Sequence, residues 1–157
     1  MTVTEPRADK RSEQQSEAAE FVEFFAEGWR RGAAGDFFDY FESRIHPDVL
    51  FTQPLAPAAR GKETFRPMFS TLFRAIPDLR GELRSWGETD DGVLIELHLS
   101  GHLGGRPVGW TTVDRIVLED GKIKERHANF DPTPRVKAML LRPHISLPLL
   151  PALLRRR

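Results

Sequence analysis

The stretch that decides the fold is "VLIELHLSGHLGGRPVGWTTVDRIVLEDGKIKERHANFD", residues Val93 to Asp131. Its period is two: Ile95, Leu97 and Leu99 alternate with Glu96, His98 and Ser100, as side chains do on the two faces of a strand. Three turn signals, "TDDG" (89–92), "GGR" (104–106) and "EDGK" (119–122), divide it and its approach into four extended segments, 79–88, 93–103, 107–119 and 123–131. Short hairpins make these segments antiparallel neighbours. Gly101 is read as a bulge that re-aims His102.

Upstream the period is helical. Ser12 and Gln15 resemble a capping box, and Ala18, Phe21, Val22, Phe25 and Trp29 fall on one helical face that Gly32 and Gly35 close. Asp36 caps a second, short helix carrying Phe37, Phe38, Phe41 and Ile45. Pro47 ends that helix, and "VLFTQP" (49–54) reads as a strand. A third helix begins after Gly61, with Phe65, Met68, Phe69, Leu72, Phe73 and Ile76 as its stripe and Pro77 as its stop. The order is α-α-β-α-β-β-β-β, an α+β fold. Ten of the eleven phenylalanines lie at or before Phe73, so the helices supply aromatic bulk against which a curved sheet closes.

The chain of 157 residues suits one domain, 13–133, with a polar N-terminal arm over 1–12 read as disordered and a proline-interrupted tail over 134–157. Lysine plus arginine and aspartate plus glutamate are both 23, so the net charge is zero and no nucleic-acid footprint is expected. There is no cysteine, which removes disulfides, thiolate nucleophiles and zinc–cysteine sites and suits the cytoplasm. The tail, "MLLRPHISLPLLPALLRRR", is too short and too broken to span a bilayer. Packing on the domain or on a partner subunit is favoured over an anchor in which Arg155, Arg156 and Arg157 meet anionic lipid.

The polar residues of the meander define the candidate chemistry. Glu96, His98 and His102 share one strand face; Trp110, Thr112, Asp114 and Ile116 share another; His127, Asn129 and Asp131 share a third. Alternation does not say which set points inward. Apolar residues on both faces fit helices on one side and a partner subunit on the other. With the Glu96/His98 and Asp131 sets inward, a cavity would hold carboxylates and imidazoles suited to acid/base work. With them outward, they are a solvated strand face, and Asp131 before Pro132 is turn chemistry. A metal is not expected, because His98 and His102 stand roughly 13 Å apart along a strand. Neither a nucleophile elbow nor a phosphate-cradling glycine loop is present.

The element order, "HPDVLFTQP…GKETF", "GHLGGRPVGWTTVDRIVLEDGKI" and the closing "FD" resemble the SnoaL-like branch of the nuclear-transport-factor-2-like superfamily, over roughly residues 15 to 132. The resemblance implies a cone-shaped fold, a curved mixed or antiparallel sheet around a pocket closed by helices, and a homodimer. Its members include polyketide cyclases, limonene-type epoxide hydrolases and ketosteroid isomerases. It implies that Asp131 is the acidic residue that cyclases and epoxide hydrolases keep in the pocket. Phe51 and Gln53 stand where the hydrolases hold water with Tyr and Asn, and Glu96 and His98 where they carry Arg and Asp. Asp114 lies near the oxyanion-stabilising acid of the isomerases, whose base would fall near Gln53. The expectation is a cofactor-independent cyclase or isomerase of an apolar polyketide- or terpenoid-like molecule. Asp131 and His98 would be its acid/base pair, and Gln53, Phe51, Trp110, Asp114, Asn129 and Glu96 would line the site. A variant epoxide hydrolase and a non-catalytic ligand-binding or dimeric module are the alternatives.

Overall fold

A computed structural model describes residues 6–33 and 36–133, with side chains from residue 13 onward. Helix α1 runs Pro6–Arg31, α2 Phe37–Glu42 and α3 Phe65–Ala75. The strands are β1 (Ile45–Thr52), β2 (Ala59–Arg60), β3 (Arg80–Thr89), β4 (Gly92–Leu103), β5 (Arg106–Glu119) and β6 (Lys122–Asn129). They form one curved, unclosed six-stranded sheet in the order β2-β1-β6-β5-β4-β3, in which only the β1–β6 pair is parallel.

The meander falls where the turn signals place it. Leu103 pairs with Arg106 across Gly104 and Gly105, and Glu119 with Lys122 across Asp120 and Gly121. All four turn residues have positive φ, between 51° and 78°. Two successive positive φ values match the right-handed twist of the flanking strands, and glycine or aspartate reaches them at least cost.

Three boundaries differ from the sequence reading. Helix α1 starts at Pro6, not at Ser12, because proline at a first helical position gives up no bonded N–H. Strand β1 starts at Ile45, so Pro47 lies inside a strand. Its register against β6 shifts between Ile45 and Leu50, an irregularity where a missing N–H is tolerated. Gly101 is not a bulge, since β4 and β5 pair without a break from Gly92↔Val117 to Leu103↔Arg106. A Cβ there would instead strike Ile76 and the backbone of Leu79.

The helices fill the concave face of the sheet. Val93, Ile95, Leu97 and Leu99 of β4, Ile116 of β5 and Ile123 of β6 are buried against them. Phe37 is the centre of the aromatic cluster, with ring centroids 4.7 Å from Phe41, 4.8 Å from Phe73, 5.2 Å from Trp29 and 5.5 Å from Phe69. Such tilted and edge-on pairs add to the area they bury. Gly28 lets α2 approach α1, because a Cβ at that position would enter the Phe41 ring.

Candidate functional site

A narrow cleft opens between the helices and the concave face. Trp29 of α1, Gln53 just after β1, Met68 and Leu72 of α3, Leu99 of β4 and Phe130 just after β6 line it, with Phe69, Trp110, Thr112 and Arg126 further in. Its walls are apolar, and its free space suits a small molecule or a few waters more than a fused-ring body.

The polar floor is built on two neighbouring strands. Asp114 of β5 is fully buried, and Arg126 of β6 is 5% exposed. The Arg126 guanidinium donates from Nε at 2.7 Å and stands with Nη2 at 2.6 Å from the same carboxylate oxygen, Oδ2. The Thr112 hydroxyl donates to the other oxygen, Oδ1, at 2.7 Å. Both carboxylate oxygens are thereby satisfied, which a charge out of water requires. The guanidinium also lies over the Phe69 ring, 5.4 Å from its centroid. Asp114 does not border the free space, whereas Arg126, Thr112 and Gln53 do. Arg126 is therefore the charged group that a ligand would meet, and Asp114 holds it in place.

Sequence alternation grouped Trp110, Thr112 and Asp114 on one face, and the structure puts that face inward. Trp110 and Gln53 border the cleft. Phe51 is buried in the aromatic core instead, its centroid 6.0 Å from Phe65 and 6.4 Å from Phe69. The other polar set faces outward, because the register that buries Ile95, Leu97 and Leu99 turns its neighbours to the convex side. There Glu96 accepts a hydrogen bond from the Ser85 hydroxyl at 2.7 Å, and His98 Nδ1 lies 3.4 Å from Thr111 Oγ1. Asn129 is exposed and donates to the carbonyls of His127 at 3.2 Å and Val113 at 3.4 Å. Asp131 is exposed one residue beyond the cleft-lining Phe130, and its Oδ1 accepts from the Thr133 N–H at 2.9 Å, the turn geometry of an aspartate before proline. The structure does not bring Asp131 and His98 together at the cleft.

Arg126 is the site residue that alternation alone missed. Its signal was its place two before Ala128 and four before Phe130, on the face opposite His127 and Asn129. Among the described residues, no three His, Asp or Glu side chains converge as metal ligands. No described helix is long and apolar enough to cross a membrane.

A curved sheet with helices in its concavity and a charged floor under an apolar cleft defines a class of small pocket-bearing α+β domains. The chain belongs to the SnoaL-like domain family, whose model matches residues 18–126. Among solved structures, it is similar to a protein from Jannaschia sp. CCS1 described as a SnoaL-like polyketide cyclase: 23% identity, 78% of this chain and 91% of that one, TM-score 0.66. It is also similar to an epoxide hydrolase of Mycobacterium tuberculosis related to the limonene type (19%, 86% and 97%, TM-score 0.64) and to TerC co-crystallised with polyporic acid (19%, 77% and 96%, TM-score 0.67). At these identities the likeness shows the fold. No curated protein matches in sequence.

Proposed function

We propose that the chain is a small-molecule enzyme of the SnoaL-like type, a cyclase or isomerase that works by acid/base chemistry on a compact, largely apolar carbonyl compound. The observation that carries this reading is Arg126, a buried cation at the floor of an apolar cleft. A fixed guanidinium in a site of low dielectric stabilises negative charge as it develops, and an enolate oxygen is where such charge arises. Arg126 and the Gln53 amide would bind that oxygen. Asp114 positions Arg126 without touching the ligand. Asp131, one residue past Phe130, is the proton-handling group of this reading and works at the rim. The group needs neither a metal nor an organic cofactor for proton abstraction beside a carbonyl.

Exchange of the α-hydrogens of cyclohexanone, a single-ring ketone, in deuterated buffer tests the reading directly. The protein should speed exchange over buffer. Asp131→Asn should lower the enzymatic rate by about 100- to 10,000-fold, the usual contribution of a general acid or base. Exchange no faster than buffer, with cyclohexanone still bound, would sink the enzyme reading. A specific observation favours a second reading in that event: no described Asp, Glu or His borders the cleft, as in a ligand-binding module. Binding is read from the fluorescence of Trp29 and Trp110, which both line the cleft.

The homodimer belongs to the same proposal. Leu94 and Val113 of the convex face are 41% and 40% exposed on neighbouring strands, among side chains of both charge signs such as Glu96 and Arg115. A self-complementary mixture of this kind suits a two-fold contact. Light scattering of the purified chain should give twice the monomer mass, and Val113→Glu should halve it.

A further inference from the structure

The parallel pairing of β1 with β6 sets Thr52 beside His127. Alternation turns both away from the cleft, since their neighbours Phe51 and Arg126 are buried on the concave side. Glu125, two residues before His127, shares the outward face. The three side chains are linked: Thr52 Oγ1 lies 2.7 Å from His127 Nδ1, and His127 Nε2 lies 2.8 Å from Glu125 Oε2. A carboxylate can only accept, so in the neutral imidazole Nε2 carries the proton and Nδ1 keeps its lone pair. The Thr52 hydroxyl must then donate to Nδ1. A hydroxyl bonded to a base that a third group orients is the arrangement of an activated nucleophile. The His127 side chain is 30% exposed, Glu125 40%, and Thr52 is partly exposed, so a molecule from solvent meets them without entering the cleft.

We propose that Thr52, His127 and Glu125 form a second reactive site, an acyl-accepting hydroxyl on the convex face that takes small activated acyl donors, aryl esters or thioesters. Thr52 Oγ1 attacks the acyl carbon as its proton moves to Nδ1 and the carbonyl π pair shifts onto oxygen. That pair returns as the bond to the leaving group breaks, which releases phenolate or thiolate, and the imidazolium passes its proton to solvent. Water then attacks the acyl-threonine and gives a proton to Nδ1. Thr52 recovers that proton as its acyl bond breaks and the carboxylic acid departs. Asn129, next on the same face, already donates to the carbonyls of His127 and Val113 and is not committed to a developing oxyanion. The donor must therefore bring a good leaving group, which defines the class. The acyl-threonine is an unactivated alkyl ester, so its hydrolysis is the slower step and it accumulates. Thr52 and His127 are catalytic residues here, and Glu125 is a positioning residue that fixes the tautomer. None of this rests on the chemistry of the cleft.

The absence of cysteine removes the strongest competing nucleophile from the experiment. The full chain mixed with para-nitrophenyl acetate should release para-nitrophenolate faster than buffer. A peptide map of the acid-quenched reaction should carry acetyl on Thr52. Thr52→Ser should keep the release, Thr52→Val should remove its excess over buffer, and His127→Gln should slow it by about 100- to 10,000-fold. His98→Ala, on the same convex face, should leave it unchanged. Nitrogen-15 NMR reads the positioning role: neutral His127 should be protonated at Nε2, and Glu125→Gln should mix the two tautomers. The map and the tautomer of the wild-type chain decide the matter even where a variant fails to fold. Acetyl found only on lysines or on His127 itself overturns the proposal. So does release that survives Thr52→Val, or a neutral His127 protonated chiefly at Nδ1.

Discussion

The two faces of one sheet carry comparable polar residues and use them differently. On the concave side Asp114, Thr112 and Arg126 form a sealed set in which each carboxylate oxygen is bonded and the pair is almost wholly out of water. On the convex side Glu96 with Ser85, His98 with Thr111, and Lys124 with Glu119 are half in solvent. The residue types alone did not distinguish these sets. What separates them is that β4 buries its aliphatic residues, which through the unbroken β4–β5 register assigns every alternate side chain of both strands at once. A charge pair inside is costly to break and weakly stabilising as a whole, whereas a pair outside is cheap in both respects.

That contrast can be broken most decisively at Arg126. Arg126→Leu leaves the Asp114 carboxylate buried without its cation and should destabilise the fold by about 3–5 kcal/mol in urea unfolding. The double variant Arg126→Leu/Asp114→Leu should recover most of that loss. If the single variant costs no more than the double, the pair is not isolated from water and the contrast between faces fails. Thr112→Val comes next. It removes one donor to a buried carboxylate and should cost about 1.5–3 kcal/mol by the same measurement. On the convex face, His98→Ala should change the monomer's stability by no more than about 0.5 kcal/mol and leave cyclohexanone binding unaltered. A clear loss of binding there would bring His98 back as a site residue.

The smallest effect concerns protons. The Lys124 ammonium, bonded to Glu119 at 2.9 Å, holds that carboxyl below its ordinary value against a small opposing effect of burial, and His46 adds to the lowering. A depressed folded-state value stabilises above the unfolded one, near about 4.3, and the contribution is lost as pH falls through the folded value. An NMR titration should therefore show Glu119 protonating at lower pH than an unpaired glutamate such as that in a model peptide, and Lys124→Met should move it back up. An unchanged midpoint in Lys124→Met would remove the ion pair as the cause.

Much of this was legible in the chain. The "DG" and "GG" turns fix hairpins because two positive φ values are needed there, and the Phe65–Ile76 stripe leaves little choice but a helix. Grouping Trp110, Thr112 and Asp114 on one face was also correct. What alternation could not supply was the sign of that face, since Leu94 and Val113 put apolar residues outside as well. Arg126 was harder still. The β5–β6 register shifts between Val117 and Leu118, so the inward residues Ile123 and Arg126 are three apart, and strict alternation from Ile123 would have put Arg126 outside. Asp131 and its Asx turn were legible as a local motif, but its distance from His98 is a property of the whole sheet.

The parallel pairing of β1 with β6 also bears on how the chain is made. Thr52 finds its neighbour in His127, 75 residues later, so the strand that leaves the N-terminal half of the domain has no central partner until nearly the whole domain has been synthesised. Contacts of such long range are slow to close and keep the intermediate's edges open. The same delay applies inside. Asp114 is translated twelve residues ahead of Arg126 and has no cation to accompany it into the core until β6 arrives. A chain that ends before the last strand would keep both an open sheet edge at β1 and an unneutralised carboxylate at Asp114.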